Sequence, residues 1–402
     1  MNDDIKFYLT YGYFPDYNLS KYVPDIITKL DINDLSYKQK QEKFIKIFKE
    51  VIAKNINEIP THKKIIIPIS GGLDSRSILA EVIKNVDINR ITTYTFGIKG
   101  SYDYEIGKEV AKKAGVKHIA INLNTTLFTQ NDMVEVAKLC DFQTHLFHHP
   151  PLSVLKEIAG EGIIISGYLG DIIFGSYAHF KNVNFQSANE YYLKHKYYSD
   201  FFAENYLENN RKLLNFEFDE DSPVLPLEQL ILYERGPKLT APHILLKGWE
   251  YKVPLIDKKI MDFMFSLPQN ERINERFFID AMIRFYPDLF NIRAKTTYGF
   301  HLKSNPLFHY YARLKNKIIW YLNIYGANFV YTPFNYLDYN KAILYRDDIN
   351  KIVVNNLHDL KNRNLLDFDP FKIYQQHKKS KNLYTIILLL TSLEIILKAK
   401  EL

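Results

Sequence analysis

Residues Ile65–Ser75 read IIIPISGGLDS, a short apolar, mostly β-branched run that stops in two glycines. Apolar residues at helical spacing follow at once: Ile78, Leu79, Val82 and Ile83. A strand that turns through glycine into a helix aims first-turn N–H groups and the positive end of the helix dipole at one point, the arrangement that cradles a pyrophosphate. The turn Ser70, Gly71, Gly72, Leu73, Asp74 and Ser75 is therefore the first candidate phosphate site. Its glycines admit the anion to the backbone, its serines supply hydroxyls, and Asp74 is a candidate Mg2+ ligand. A plain turn would need neither both serines nor the aspartate. The chain contains no GxxxxGK[ST] and no GxGxxG, which excludes two commoner phosphate loops.

Strand and helix periodicities then alternate. Ile91–Gly97 and Val116–Leu123 read as strands, Tyr104–Ala114 and Leu152–Ala159 as helices, and Gly162–Ser166 as a further buried strand. Such units predict an α/β fold, a parallel sheet with helices on both faces, followed by a mainly helical C-terminal part. Ligands of open parallel sheets bind beyond the carboxyl ends of the strands. Three candidates fall there: Ser70–Ser75, Phe96–Gly97 and Ser166–Asp171. Phe96 and Gly97 suit an adenine, and Asp103 reads as a helix cap or a nucleotide contact. Ser166–Tyr177 reads SGYLGDIIFGSY, in which Gly167 and Gly175 keep the backbone open and Asp171 is a second candidate Mg2+ ligand.

A chain of 402 residues predicts about two domains, and 47% hydrophobic residues suffice for a large interior. The expected divisions are 1–60, an opening segment with the amphipathic helix Tyr37–Ile56; 61–180, the nucleotide-binding core; and 181–402, with Asn182–Asn210 as a candidate lid. The lone Cys140 excludes a disulfide framework and a thiolate zinc site, and no signal peptide is visible, so a cytoplasmic location is expected. The longest apolar run, Leu383–Leu397, contains Ser392 and Glu394 and is too short to span a membrane; no membrane partner is expected. The net charge of +6 comes from scattered lysines, so a nucleic-acid partner is not expected either. His145, His148 and His149 lack acidic or cysteine neighbours, and zinc is not expected; Cys140–Pro151 is a candidate wall of an acceptor pocket.

SGGLDS resembles the signature of the N-type ATP pyrophosphatases, or PP-loop enzymes, and with the second loop it resembles the asparagine synthetase family, whose second motif has the form SGxGxDExFGGY. Further matches run in order: YLTYGY at Tyr8–Tyr13, Phe96–Gly97 with Asp103, GWEYKVPLID at Gly248–Asp257, and Lys295 where the family has its active-site lysine. The resemblance implies an AMP-forming ligase that uses ATP and Mg2+, with the metal on Asp74 and Asp171. A carboxylic acid would be adenylated, and Lys295 would assist amide formation with ammonia or an amine. Lys252 carries a similar expectation.

Two departures qualify this reading. Family members that use glutamine begin with Cys after Met1 and a glutaminase domain, whereas here Asn2 follows Met1 and YLTYGY starts at residue 8. Nitrogen is therefore expected from free ammonia, a separate glutaminase, or an amine on a peptide or metabolite substrate. In the second loop, Tyr168 stands where asparagine synthetases have glutamate, and resembles the tyrosine of β-lactam synthetases that pairs with a later glutamate, here Glu234. A tyrosine, with an ordinary pKa near 10, deprotonates an amine poorly unless a carboxylate takes its proton onward. Two other readings are weighed. A PP-loop tRNA-modifying enzyme would show CxxC or a basic aromatic platform, and a non-catalytic member would have lost Asp74, Asp171 or the glycines.

Overall fold

The computed structural model describes residues 1–17, 21–143, 149, 152–160, 162–179, 184–202, 207–214, 216–324, 333–379 and 382–401. Its sheet has five parallel strands: β1 (Ile65–Pro68), β2 (Ile91–Gly97), β3 (Lys117–Asn122), β4 (Ile163–Ile165) and β5 (Tyr251–Lys252), in the order β3-β2-β1-β4-β5. Ile65 of β1 lies opposite Ile91 on one side and Ile163 on the other. Ile65, Ile66 and Ile67 are all buried, the pattern of a strand covered on both faces. The chain builds outward from β1 to β3, then crosses back to lay β4 on the other side of β1. The gap between β1 and β4 is thus the switch point of the sheet, where strand ends diverge and a ligand can enter.

The first helices along the chain are α1 (Asp3–Tyr11), α2 (Tyr37–Asn57), α3 (Asp74–Asn85), α4 (Tyr102–Ala114), α5 (Gln130–Leu139), α6 (Leu152–Ala159), α7 (Gly170–Phe174) and α8 (Phe185–His195). α2 starts in a capping box, Ser36 with Gln39, packs along α3, and buries Phe44 against Phe263 and Phe277 and Phe48 against Tyr286. One apolar core runs from Phe7 to Ala399. The segment Leu383–Leu397 lies within and just before the helix Tyr384–Glu401, whose residues from Ile386 to Ile396 are buried. Among the described residues no helix is long and apolar enough to cross a membrane.

The candidate lid is a packed element where it is described. Tyr192 and Leu193 of α8 are fully buried, Tyr192 Oη meets Tyr13 Oη at 3.0 Å, and Tyr11 Oη donates to the Leu193 carbonyl at 2.9 Å. Residues 182–183 and 203–206 of that stretch lie outside the described residues. β5 is a strand that periodicity did not reveal, because two residues carry no period.

Gly175 closes α7 with φ +110°, and a Cβ there would lie 2.3 Å from the Arg272 carbonyl oxygen, so only glycine fits. The Arg272 side chain is itself buried and bonds Glu228 through two N–H groups, at 2.7 and 3.2 Å. Burial raises the Glu228 carboxyl above its ordinary value, and the arginine pulls it back down. An ion pair held this deep costs most when halved. Glu228→Ala should lower the unfolding free energy by about 3–5 kcal/mol in urea denaturation, and a loss below about 1 kcal/mol would show that the site relaxes around a lone guanidinium.

Candidate active site

Both glycine loops end at the switch point. The residue before α3 is Leu73, whose side chain makes no capping bond, so the first-turn N–H groups of α3 are left to a ligand and Asp74 is not the helix cap. Gly72 donates its N–H to Ser70 Oγ at 3.1 Å, which fixes the hydroxyl while leaving its own proton to give. The glycines serve close approach rather than unusual torsion. Neither Gly71 nor Gly72 has positive φ, and a Cβ on Gly71 would meet Lys295 Cβ at 3.0 Å.

The second loop is shaped around Asp74. A Cβ on Gly167 would lie 2.9 Å from Asp74 Cβ, and one on Gly170 would lie 2.5 Å from Asp74 Cγ. The Asp74 carboxylate also accepts the backbone N–H of Asp171. Burial pushes Asp74 well above the usual carboxylate range, with the nearby charges of Glu275 and Asp171 adding to it. Asp171 is raised too, by burial, while Arg235 and backbone N–H groups pull it down. Asp74 is half-buried and the Asp171 side chain reaches solvent, and two neighbouring carboxylates with so little counter-charge fit a hard, oxygen-seeking cation. Among the described residues no group of three or more His, Cys, Asp or Glu is arranged to hold a metal. That suits Mg2+, which takes one or two protein carboxylates and completes its shell with water and phosphate oxygens.

Lys295 reaches this loop from far along the chain. Its N–H donates to the Gly71 carbonyl at 2.8 Å, and its ammonium lies 2.5 Å from Asp103 Oδ2. The other Asp103 oxygen accepts the Gly71 N–H at 3.1 Å. Asp103 is not the helix cap, a place taken by Ser101; it lines the cavity and is the clamp that holds loop and lysine together. Arg76, which the sequence analysis passed over, supports the same join: buried in α3, it donates to the Arg293 carbonyl at 2.9 Å, two residues before Lys295. Burial lowers its pKa to about 10.

A cavity of about 460 Å3 opens at the strand ends. Ser70, Gly72, Asp74 and Ser75 line it together with Phe96, Ser166 and Gly167, so the three predicted segments share one space. Phe96 leans on Tyr336 with ring centres 5.0 Å apart. Gly71, Leu73, Gly97, Asp171 and Lys295 are not part of that lining.

The expected Tyr168–Glu234 relay is not assembled. Tyr168 is buried, and among the described residues its hydroxyl has no hydrogen-bond partner; burial raises its pKa, so the phenol keeps its proton. Glu234 lies in a π-helical stretch, Leu230–Thr240, and pairs one turn on with Lys238 at 2.8 Å. Its neighbour Arg235 lines the cavity. Lys252 also points elsewhere, to Glu58 at 2.7 Å. His145 and His148 lie outside the described residues, and His149 Nε2 sits 3.5 Å from Cys140 Sγ.

A third acid, Glu275, lacked any sequence signal. It follows Asn274, both with left-handed φ near 55–59°, and accepts a hydrogen bond from Ser176 at 2.5 Å. Burial, with Asp171 adding to it, lifts its carboxyl to about 7.

The clamp makes a prediction in stability alone. Lys295→Met should cost about 1–3 kcal/mol, because Asp103 would remain buried with one N–H partner. Combined with Asp103→Asn it should cost less than the sum of the single changes, and strict additivity in denaturant titrations would show that the two groups do not interact.

Comparison with known proteins agrees with this geometry. Residues 61–229 match the family described as Asparagine synthase. The chain is 22% identical over 347 residues to a probable asparagine synthetase [glutamine-hydrolyzing] of Acanthamoeba polyphaga mimivirus, covering 83% of this chain and 56% of the relative. It is 26% identical over 149 residues to asparagine synthetase [glutamine-hydrolyzing] 3 of Arabidopsis thaliana, covering 33% of this chain and 24% of that one. The chain thus spans about half the length of the first of these relatives and a quarter of the second. The resemblance to the asparagine synthetase family stands for residues 61–229, the stretch that holds both glycine loops.

Proposed function

We propose that this chain is an ATP-dependent, AMP-forming ligase that adenylates a carboxylic acid, releases pyrophosphate, and passes the acyl group to ammonia or an amine. The observation that carries the reading is the meeting of three remote segments: the uncapped SGGLDS turn, the half-buried Asp74 against the Asp171 loop, and Lys295 clamped beside Gly71.

In this reading the first-turn N–H groups of α3 and the hydroxyls of Ser70 and Ser75 hold the β- and γ-phosphates. Phe96 and the end of β2 face the adenine. Asp74 and Asp171 would hold Mg2+, which when bound offsets phosphate charge as pyrophosphate leaves. The acid attacks the α-phosphorus, the bond to the β-phosphate oxygen breaks, and Lys295 lies close to the charge that grows on the departing oxygen. A fixed ammonium in a water-poor site is worth a few kcal/mol at such a point, and Asp103 keeps it from swinging away. Amine attack then expels AMP. The two substrates gain most of their rate from being held side by side.

The Tyr168–Glu234 relay is not part of this proposal, because the phenol is protonated and the carboxylate is engaged. Tyr168 is assigned to packing beneath the second loop. The amine therefore has to arrive as its free base or lose its proton to another group.

The test is exchange of labelled pyrophosphate into ATP over a panel of amino acids, dicarboxylates and aromatic acids, with AMP release measured when ammonia or an amine is added. Exchange should appear with a restricted set of acids. Asp74→Ala should abolish it, and Lys295→Ala should slow it by about a hundred- to a thousandfold. Exchange with no acid, or ATP turnover indifferent to Asp74→Ala, would remove the ligase reading.

A further inference from the structure

The helix Pro306–Ile324 follows the Lys295 loop and stands largely clear of the fold. It is held from one side, where Ala312 is buried and the Asn316 side chain bonds Tyr102. On the opposite side Leu307, Tyr310, Tyr311, Leu314, Ile318 and Leu322 are 46–72% exposed. At 3.6 residues per turn these six fall within an arc of about 120°, and from Leu307 to Leu322 the stripe is about 22 Å long. Singly exposed apolar residues are ordinary; a continuous stripe turned outward on a protruding helix is not.

The charge around the stripe is one-sided. Between Asp288 and Asp338 the chain has no acidic residue and six Lys or Arg. On the helix, Lys317 borders one edge of the stripe and Lys315 the other, with Arg313 beyond Lys317. Among the described residues Arg313, Lys315 and Lys317 make no ion pair. An apolar and tyrosine-bearing face edged by cations is the pattern of a helix lying in a lipid interface. Two copies of this face packed together would set cation against cation. A protein groove would have to enclose a convex ridge on three sides, whereas a bilayer surface meets it as it stands.

We propose that this helix docks the protein on an anionic lipid surface, its apolar stripe at headgroup depth and its cations on the lipid phosphates. The absence of a spanning helix among the described residues does not bear on a helix that lies in the surface plane. His309, Tyr310 and Arg313 also line a second cavity of about 630 Å3 whose floor includes Glu275 and Ser176. Docking would place the mouth of that cavity, and the catalytic loops behind it, against the membrane.

The full chain should co-sediment with vesicles of phosphatidylcholine containing about 30% phosphatidylglycerol, not with phosphatidylcholine alone, and high salt should release it. Leu314→Glu with Ile318→Glu should reduce binding at least tenfold at unchanged circular dichroism and melting temperature. Lys315→Gln with Lys317→Gln, which removes no apolar contact, should reduce it severalfold. The proposal falls if the chain ignores anionic vesicles or if both double variants bind as well as the parent. It also falls if the parent forms a dimer that the Leu314, Ile318 variant abolishes, which would make a second copy the occupant.

Discussion

The Asp103 carboxylate holds the site together. One oxygen takes the Gly71 N–H, the other takes the Lys295 ammonium, and the backbone of Lys295 returns a hydrogen bond to Gly71. Three segments on three different elements thereby share one small ring of bonds. Because Asp103 is almost wholly buried, the ring is worth more than an exposed ion pair, and its parts are expensive to separate. Arg76 adds a second brace to the same join by bonding the backbone just before the lysine. The loop proposed to receive phosphate is thus set in place before any ligand arrives, which is what a site working by charge placement requires.

The rest of the site is built at the expense of stability. Asp74, Asp171 and the buried Glu275 are all raised above the usual carboxylate range, so the fold carries acidic groups that repel one another. The left-handed backbone at Asn274 and Glu275 adds local strain. Set against this are a core running through most of the chain and paired residues such as Arg272 and Glu228 that lock the second loop from outside. Strain and like charge gathered at one point of a well-packed protein mark a place where a ligand completes the structure.

What could be read from the sequence was what is local. Ile65–Ile67 announced a buried strand by three β-branched residues in a row, and the ends of α3 and α6 fell where the periodicity placed them. The two loops were legible because glycine, serine and aspartate at those spacings have few structural uses. Asp103 does not cap its helix, although an aspartate at a helix start usually does, and nothing nearby reveals a lysine 192 residues away. Glu275 and Arg76 gave no signal, because burial of a charge is decided by tertiary packing. The Tyr168–Glu234 relay is not assembled for the converse reason: the glutamate's partner, Lys238, lies one turn on along the same helical stretch. The exposed stripe of Pro306–Ile324 looks in sequence like any core-facing helix, and only its orientation in the fold distinguishes it.

The distance of Lys295 along the chain bears on how the protein comes into being. The strands that frame the switch point are within the first 165 residues apart from the two-residue β5, so the glycine loops can be made and partly packed early in synthesis. The ring around Asp103 closes only after residue 295 has emerged, and closing so long a loop is slow compared with local helix formation. A nascent chain therefore carries a phosphate cradle without its cation for much of its elongation. Under the proposed function, assembly order would keep an unfinished molecule from acting on nucleotide before the segment that carries Lys295 has joined the site.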